Sequence, residues 1–201
     1  MRLGILGGTF DPVHYGHLLL AETAREQCRL DQVWFLPASI PPHKQRHELS
    51  SVEQRIEMLE LAVAGSPAMA VSRLEADRGG VSYTVDTLAA LAAEAPEREI
   101  FFLMGADSLA DLPNWREPAR ICQLAILAVV RRAGQEVDYS RLADSVPAER
   151  LERFRQHQVE MPLIELSSHD IRERVGRRQS IRYRTPRAVE KYIESQGLYG
   201  K

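Results

Sequence analysis

Cysteine and lysine are both scarce in this chain, and each scarcity narrows the field. Two cysteines, Cys28 and Cys122, occur in 201 residues. They have no metal-ligand spacing and make no disulfide framework. That excludes a cystine-stapled scaffold and makes a reducing cytoplasm the expected location. No apolar run approaches the ~18 residues that would cross a bilayer as a helix. The opening Met1-Arg2-Leu3-Gly4 has no signal-peptide layout, so no membrane partner is expected. Net charge is −2, which argues against a nucleic-acid footprint. No Pro/Gly/Ser linker, repeat or low-complexity tract breaks the chain, and its length fits one domain over residues 1–201. Lysine occurs only as Lys44, Lys191 and Lys201, so arginine supplies nearly all the positive charge. Seven arginines fall between Arg172 and Arg187. A solvated helix and turn explains most of them, yet the planar guanidinium also suits phosphate oxygens, and one of the seven is a candidate to face a ligand.

What is present is the composition of a globular protein, 44% apolar and 27% charged. Strand and helix patterns alternate. Residues 3–6 read as a buried strand, and residues 12–28 as the first helix, with Asp11 as N-cap and Pro12 at the first helical position. Residues 32–37 form a second strand, and Ser50 or Ser51 caps a helix in which Ile56, Leu59 and Val63 share a face. Further strands are expected at 70–72, 100–105, 124–130 and, most weakly, 163–166. Further helices are expected from Thr84 to Ala95, around 151–157 and at 188–194, the last closed by Gly197. This order predicts an α/β fold: a Rossmann-like, doubly wound parallel sheet with helices on both faces.

Chemistry concentrates where such a sheet binds ligands, at the carboxyl ends of its strands. Gly7-Gly8-Thr9 follows the first strand, Gly105-Ala106-Asp107-Ser108 a later one, and Ser167-Ser168-His169-Asp170 the last; the fold brings these three toward one crevice. Pro41 to Arg46 begins a loop after the second strand. The glycines let the backbone turn close to a ligand, or simply make a tight turn. Neither the Gly-x-Gly-x-x-Gly dinucleotide fingerprint nor a Walker lysine is present, which argues against a hydride-transfer dehydrogenase and a P-loop kinase. His14 and His17, at i and i+3, share a side of the helix, and Gly16 between them removes a side chain that could crowd a ligand. Nothing completes a metal-ligand set around them, so no metal site is expected and donation to phosphate oxygens is the simpler role. Asp107 suits a sugar hydroxyl, a metal-bound water or a helix N-cap. Trp115 suits stacking on a flat ring or anchoring of its own loop. Ser167-Ser168 reads as a helix start that attracts anions, with Arg172 one turn inside.

Gly7-Gly8-Thr9-Phe10-Asp11-Pro12-Val13-His14-Tyr15-Gly16-His17 resembles the signature of the His-x-Gly-His nucleotidyltransferases. Pro41-Pro42-His43-Lys44, Ser82-Tyr83-Thr84, Gly105-Ala106-Asp107-Ser108, Asn114-Trp115-Arg116 and Ser180-Ile181-Arg182-Tyr183 narrow the resemblance to the bacterial nicotinate-nucleotide adenylyltransferase family. It runs to Gly197-Leu198-Tyr199. The resemblance implies transfer of an adenylyl group from ATP to nicotinate mononucleotide in NAD biosynthesis, with Mg²⁺ arriving on the ATP. It implies that His14 and His17 contact the phosphates, His17 stabilising the transition state, with Arg172 beside them in catalysis. Gly8, Thr9 and Phe10 then line the cleft between the substrates, Gly105 and Asp107 hold the adenosine, and Ser168 and Arg172 contact the triphosphate. Thr84, Val85, Trp115 and Arg116 take the nicotinate end, and Lys44 is a further phosphate ligand on the acceptor side. Two departures stand out: His169 replaces a usual threonine, and Arg184-Thr185 replaces usual apolar residues. The alternatives are a related enzyme using nicotinamide mononucleotide, phosphopantetheine or cytidylyl transfer, and a non-catalytic nucleotide-binding module.

Overall fold

The structure is a computed structural model that describes residues 1–41, 49–131, 136–162 and 164–200. Its described elements are β1 (Arg2–Gly8), α1 (Tyr15–Gln27), β2 (Gln32–Pro37), α2 (Val52–Val63), β3 (Met69–Val71), α3 (Leu74–Arg78), α4 (Thr84–Glu94), β4 (Glu99–Gly105), α5 (Ala106–Asp111), α6 (Pro118–Leu124), β5 (Ile126–Arg131), α7 (Ala148–Arg155), β6 (Val159–Glu160), α8 (Ser168–Gly176) and α9 (Arg187–Gln196). The strands form one parallel sheet in the order β3-β2-β1-β4-β5-β6. The central strands are near-continuous apolar runs because helices cover both faces. Leu3, Val33, Phe35, Phe101, Leu127 and Val129 are all fully buried.

The register shows where the sheet opens. β1 stays paired with β2 as far as Gly8 and Pro37, and β4 stays paired with β5 as far as Gly105 and Val130. The β1–β4 pairing, however, ends at Ile5 and Phe102. The two central strands therefore part over their carboxyl ends, at the point where the strand order reverses, and a crevice forms there.

Several expected elements stand close to their predicted places. Ser51 caps α2 through a capping box with Gln54, and Ile56, Leu59 and Val63 are buried together. Two expectations need correction. The first helix begins at Tyr15, not Pro12, and its N-cap is His14 in an extended conformation, not Asp11. The carbonyls that a helix from Pro12 would use are taken by distant side chains: Asp11 O accepts from Arg172, Pro12 O from Ser168 and Val13 O from Thr185. Likewise, Ile164–Leu166 adds no strand, and Leu163 lies outside the described residues; the edge strand is β6, paired with Val130 and Arg131. Ile164 and Leu166 instead line a groove beside α1 with Tyr15, Leu18 and Leu19. An apolar run alone does not distinguish these fates.

A deeply buried charged side chain ties the glycine turn to its surroundings. Arg55 on α2 is 1% exposed. It donates from Nη1 to Thr9 O (2.9 Å), from Nη2 to Ser39 O (3.2 Å) and from Nε to Ser50 O (3.1 Å). Replacing Arg55 by methionine keeps the stem but leaves those carbonyls without their donor. A buried acceptor left unpaired costs ~1–3 kcal/mol, so Arg55→Met is expected to destabilise the fold by about 3–5 kcal/mol, read as a lower urea midpoint with an unchanged m value.

Candidate active site

The crevice is built from the glycine turn outward. A side chain at Gly8 would meet the Phe10 ring at 3.0–3.2 Å, so the glycine is what lets Phe10 fold back beneath the turn. Phe10 has φ 50°, and its ring packs edge-on against Phe35 and His17, with centroids 5.7 and 5.0 Å away. Phe10 was expected to line the cleft; at 2% exposure its ring is a buried support for His17 instead.

His14 and His17 are stacked, ring centroids 3.7 Å apart and planes 24° from parallel. The His14 main-chain N–H donates to His17 Nδ1 at 3.2 Å, which puts the neutral ring's proton on Nε2. His14 itself is buried, and its Nδ1 has no hydrogen-bond partner among the described residues. Burial pushes its pKa down from 6.5 to about 4, so the imidazole is neutral at physiological pH. A side chain at Gly16 would press on His14 Cε1 and Nδ1 at 3.0 Å. The glycine thus makes room for the first imidazole.

α8 closes the other side of the turn. Ser167 is its N-cap, accepting from Asp170 N at 3.0 Å. Ser168 Oγ donates to Pro12 O at 2.8 Å, and Arg172 Nη1 donates to Asp11 O at 2.6 Å. The expected convergence of Ser168 and Arg172 on the histidine turn is therefore present. His169 is exposed. At the end of β4, Gly105 is the N-cap of α5, and among the described residues no heavy atom lies within 4 Å of where a side chain would stand. Asp107 lies in the exposed first turn and is not the cap.

A cavity of about 240 Å³ lies against the glycine turn. Gly7, Gly8 and Thr9 form one wall, and Thr84, Phe102, Trp115 and Arg116 the others. Trp115 is held edge-on by Phe102 (6.1 Å between centroids) and donates from Nε1 to Asp111 at 3.0 Å. It both anchors its loop and lines the cavity. Arg116 reaches Asp86 at 3.2 Å and lies 4.9 Å from the Tyr83 ring centroid, which turns Asp86 toward that guanidinium. Val85 is buried and is not among the residues that line the cavity. Lys44 lies outside the described residues. Glu75, Ser82 and Tyr83 also line the cavity; Glu75 is buried and accepts from Thr87 Oγ1 at 2.7 Å. No periodicity could have marked Glu75, because it sits on the short helix α3.

The family model described as cytidylyltransferase-like matches residues 5–174. A relative from Thermomicrobium roseum, named "probable nicotinate-nucleotide adenylyltransferase", is 48% identical over 98% of this chain and 91% of its own length. One from Geobacillus thermodenitrificans with the same name is 43% identical over 99% and 86%. The chain belongs to the nicotinate-nucleotide adenylyltransferase family. The fold of the family is seen in a Plasmodium falciparum nicotinic acid mononucleotide adenylyltransferase complexed with NaAD, with TM-score 0.79 and 19% identity, covering 98% of this chain and 97% of that one. Among the described residues no helix is long and apolar enough to cross a membrane.

Burial of neutral His14 has a measurable consequence for this family member. Unfolded, the ring takes up a proton near pH 6.5; folded, it does so only at about 4. Between these values the unfolded state binds more protons, so stability rises with pH across that window and is lost on acidification through it. The expected loss between pH 6.5 and 4 is on the order of 3 kcal/mol. Urea midpoints measured across the window for wild type and His14→Gln should show this part of the slope only in the wild type.

Proposed function

We propose that the chain transfers the adenylyl group of ATP to nicotinate mononucleotide, giving nicotinate adenine dinucleotide and pyrophosphate. The observation that carries this reading is the glycine turn itself: Gly7, Gly8 and Thr9 line the aromatic cavity, and the same segment runs on to the stacked His14 and His17. In this reading the mononucleotide lies in the cavity, with its ring against Trp115 and its phosphate at the glycine turn. ATP lies across the histidines and the start of α8, with its adenosine toward Gly105 and Asp107.

A phosphate oxygen of the mononucleotide attacks the α-phosphorus of ATP, the bond from that phosphorus to the bridging oxygen breaks, and pyrophosphate leaves. Two anions must be held together and the spreading charge stabilised, so positioning and electrostatics do the work. A His17 proton on Nε2 suits donation to a phosphate oxygen. Neutral His14 adds a donor without drawing a second anion. Arg172 uses Nη1 on Asp11 O, which leaves the rest of its fork for the triphosphate. Mg²⁺ enters with ATP, as phosphate and water oxygens suit it; among the described residues no group of three or more His, Cys, Asp or Glu could hold a metal. The ring carboxylate suits the first turn of α4, where main-chain N–H groups of Thr84 and Val85 have no intrahelical acceptor. Arg116 adds positive charge there and Glu75 opposes it. We read residues 1–201 as one such domain, working in the cytoplasm.

Protein with ATP, Mg²⁺ and nicotinate mononucleotide should release pyrophosphate, with kcat/KM higher for the acid than for nicotinamide mononucleotide. Turnover with phosphopantetheine instead, or ATP binding with no turnover on any acceptor, would replace the proposal. His17→Ala should lower kcat by ~10²–10³-fold, the loss typical of a removed transition-state donor. Trp115→Ala should raise KM for the mononucleotide by roughly tenfold while sparing KM for ATP, because ring stacking of ~1–3 kcal/mol is lost on that side alone.

A further inference from the structure

Asp11 was expected to cap a helix, but its carboxylate does something else. It is 1% exposed, and the phenol of Tyr199, 188 positions along the chain, donates to Oδ1 at 2.5 Å. The Ser50 main-chain N–H approaches Oδ2 at 3.4 Å. Arg55 is a charged neighbour of Asp11, yet its guanidinium is spent on the Thr9, Ser39 and Ser50 carbonyls. Arg172 is bonded to the carbonyl of the same Asp11, at 2.6 Å. It is also near enough to Tyr199 to act on it electrostatically. Arg172 is thus held on the main-chain oxygen of a residue whose carboxylate, the stronger acceptor, is bonded to Tyr199.

We infer that Tyr199 is a positioning residue: by occupying the Asp11 carboxylate, its hydroxyl keeps Arg172 on the main-chain carbonyl and its remaining donors available to the triphosphate. The inference deepens the adenylyl-transfer reading and rests on it for its kinetic consequence. Burial and the adjoining carboxylate push the Tyr199 pKa well above its ordinary value, so the phenol keeps its proton and remains a donor. α9 ends at Gly197 in the left-handed conformation, and Tyr199 itself has φ 60°.

Tyr199→Phe keeps the ring and removes only the donor. Its kcat/KM for ATP should fall about tenfold or more, the cost of one misdirected charge-assisted bond, while KM for nicotinate mononucleotide stays within twofold of wild type. In Tyr199→Phe/Asp11→Asn a neutral amide no longer attracts the guanidinium, and most of that loss should be recovered. A crystal structure of Tyr199→Phe should show Arg172 against the Asp11 carboxylate. Arg172 still on the Asp11 carbonyl, or ATP kinetics equal to wild type beside a lower melting temperature, would overturn the inference and leave Tyr199 a packing residue. Inactive wild-type protein would refute the adenylyl-transfer reading; the position of Arg172 in the variant crystal would still decide this one.

Discussion

The site depends on how four main-chain carbonyls are held. Thr9 O, Asp11 O, Pro12 O and Val13 O accept from Arg55, Arg172, Ser168 and Thr185, which come from α2, α8 and the turn before α9. A turn with so many carbonyls could satisfy them with water or with a helical ladder. Here each is bound to a side chain far away in sequence, two of them from α8, so the turn is fixed from behind and cannot relax into the first turn of α1. His14 follows directly, extended, and its N–H orients the ring of His17. The orientation of both imidazoles thus derives from packing far away in sequence, which is how a few residues on a loop acquire the precision that phosphoryl chemistry needs.

The second constraint is the parting of β1 from β4. A parallel sheet buried on both faces has no surface on which to place a ligand except at its strand ends. Ending the central pairing at Ile5 and Phe102, while the flanking pairings continue, opens space where the strand order reverses. Gly8 makes room for the Phe10 ring beneath the turn, and among the described residues nothing stands within 4 Å of a side chain's place at Gly105. Phe102 then serves twice, as a core residue of β4 and as the edge contact for Trp115. The cavity lining and the stacked histidines thus share one segment, Gly7 to His17.

Departures from the family pattern have local explanations. Thr185, where an apolar residue is usual, is buried and donates to Val13 O. Arg184 beside it pairs with Asp170 in the first turn of α8, and its carbonyl accepts from Tyr15 N. Hydrogen bonds thus join α8, the following turn and the start of α1. His169 has no such role; it is exposed, and nothing in the structure explains it.

Read alone, the sequence determined the α/β class, the strands from β1 to β5, the cap of α2 and the cluster of glycine and histidine that marks the site. These are properties of spacing within a few residues: apolar runs, a capping pair, a turn that only glycine permits. The start of α1 and the true edge strand were decided by the tertiary structure, because distant donors took the Asp11, Pro12 and Val13 carbonyls and a groove beside α1 took Ile164 and Leu166. The same holds for the burial of Phe10, for Glu75 in the cavity wall and for the contact of Tyr199 with Asp11. Sequence periodicity records which side chains avoid water, whereas the partner of a buried polar group is set by whatever the completed fold brings within about 3 Å of it.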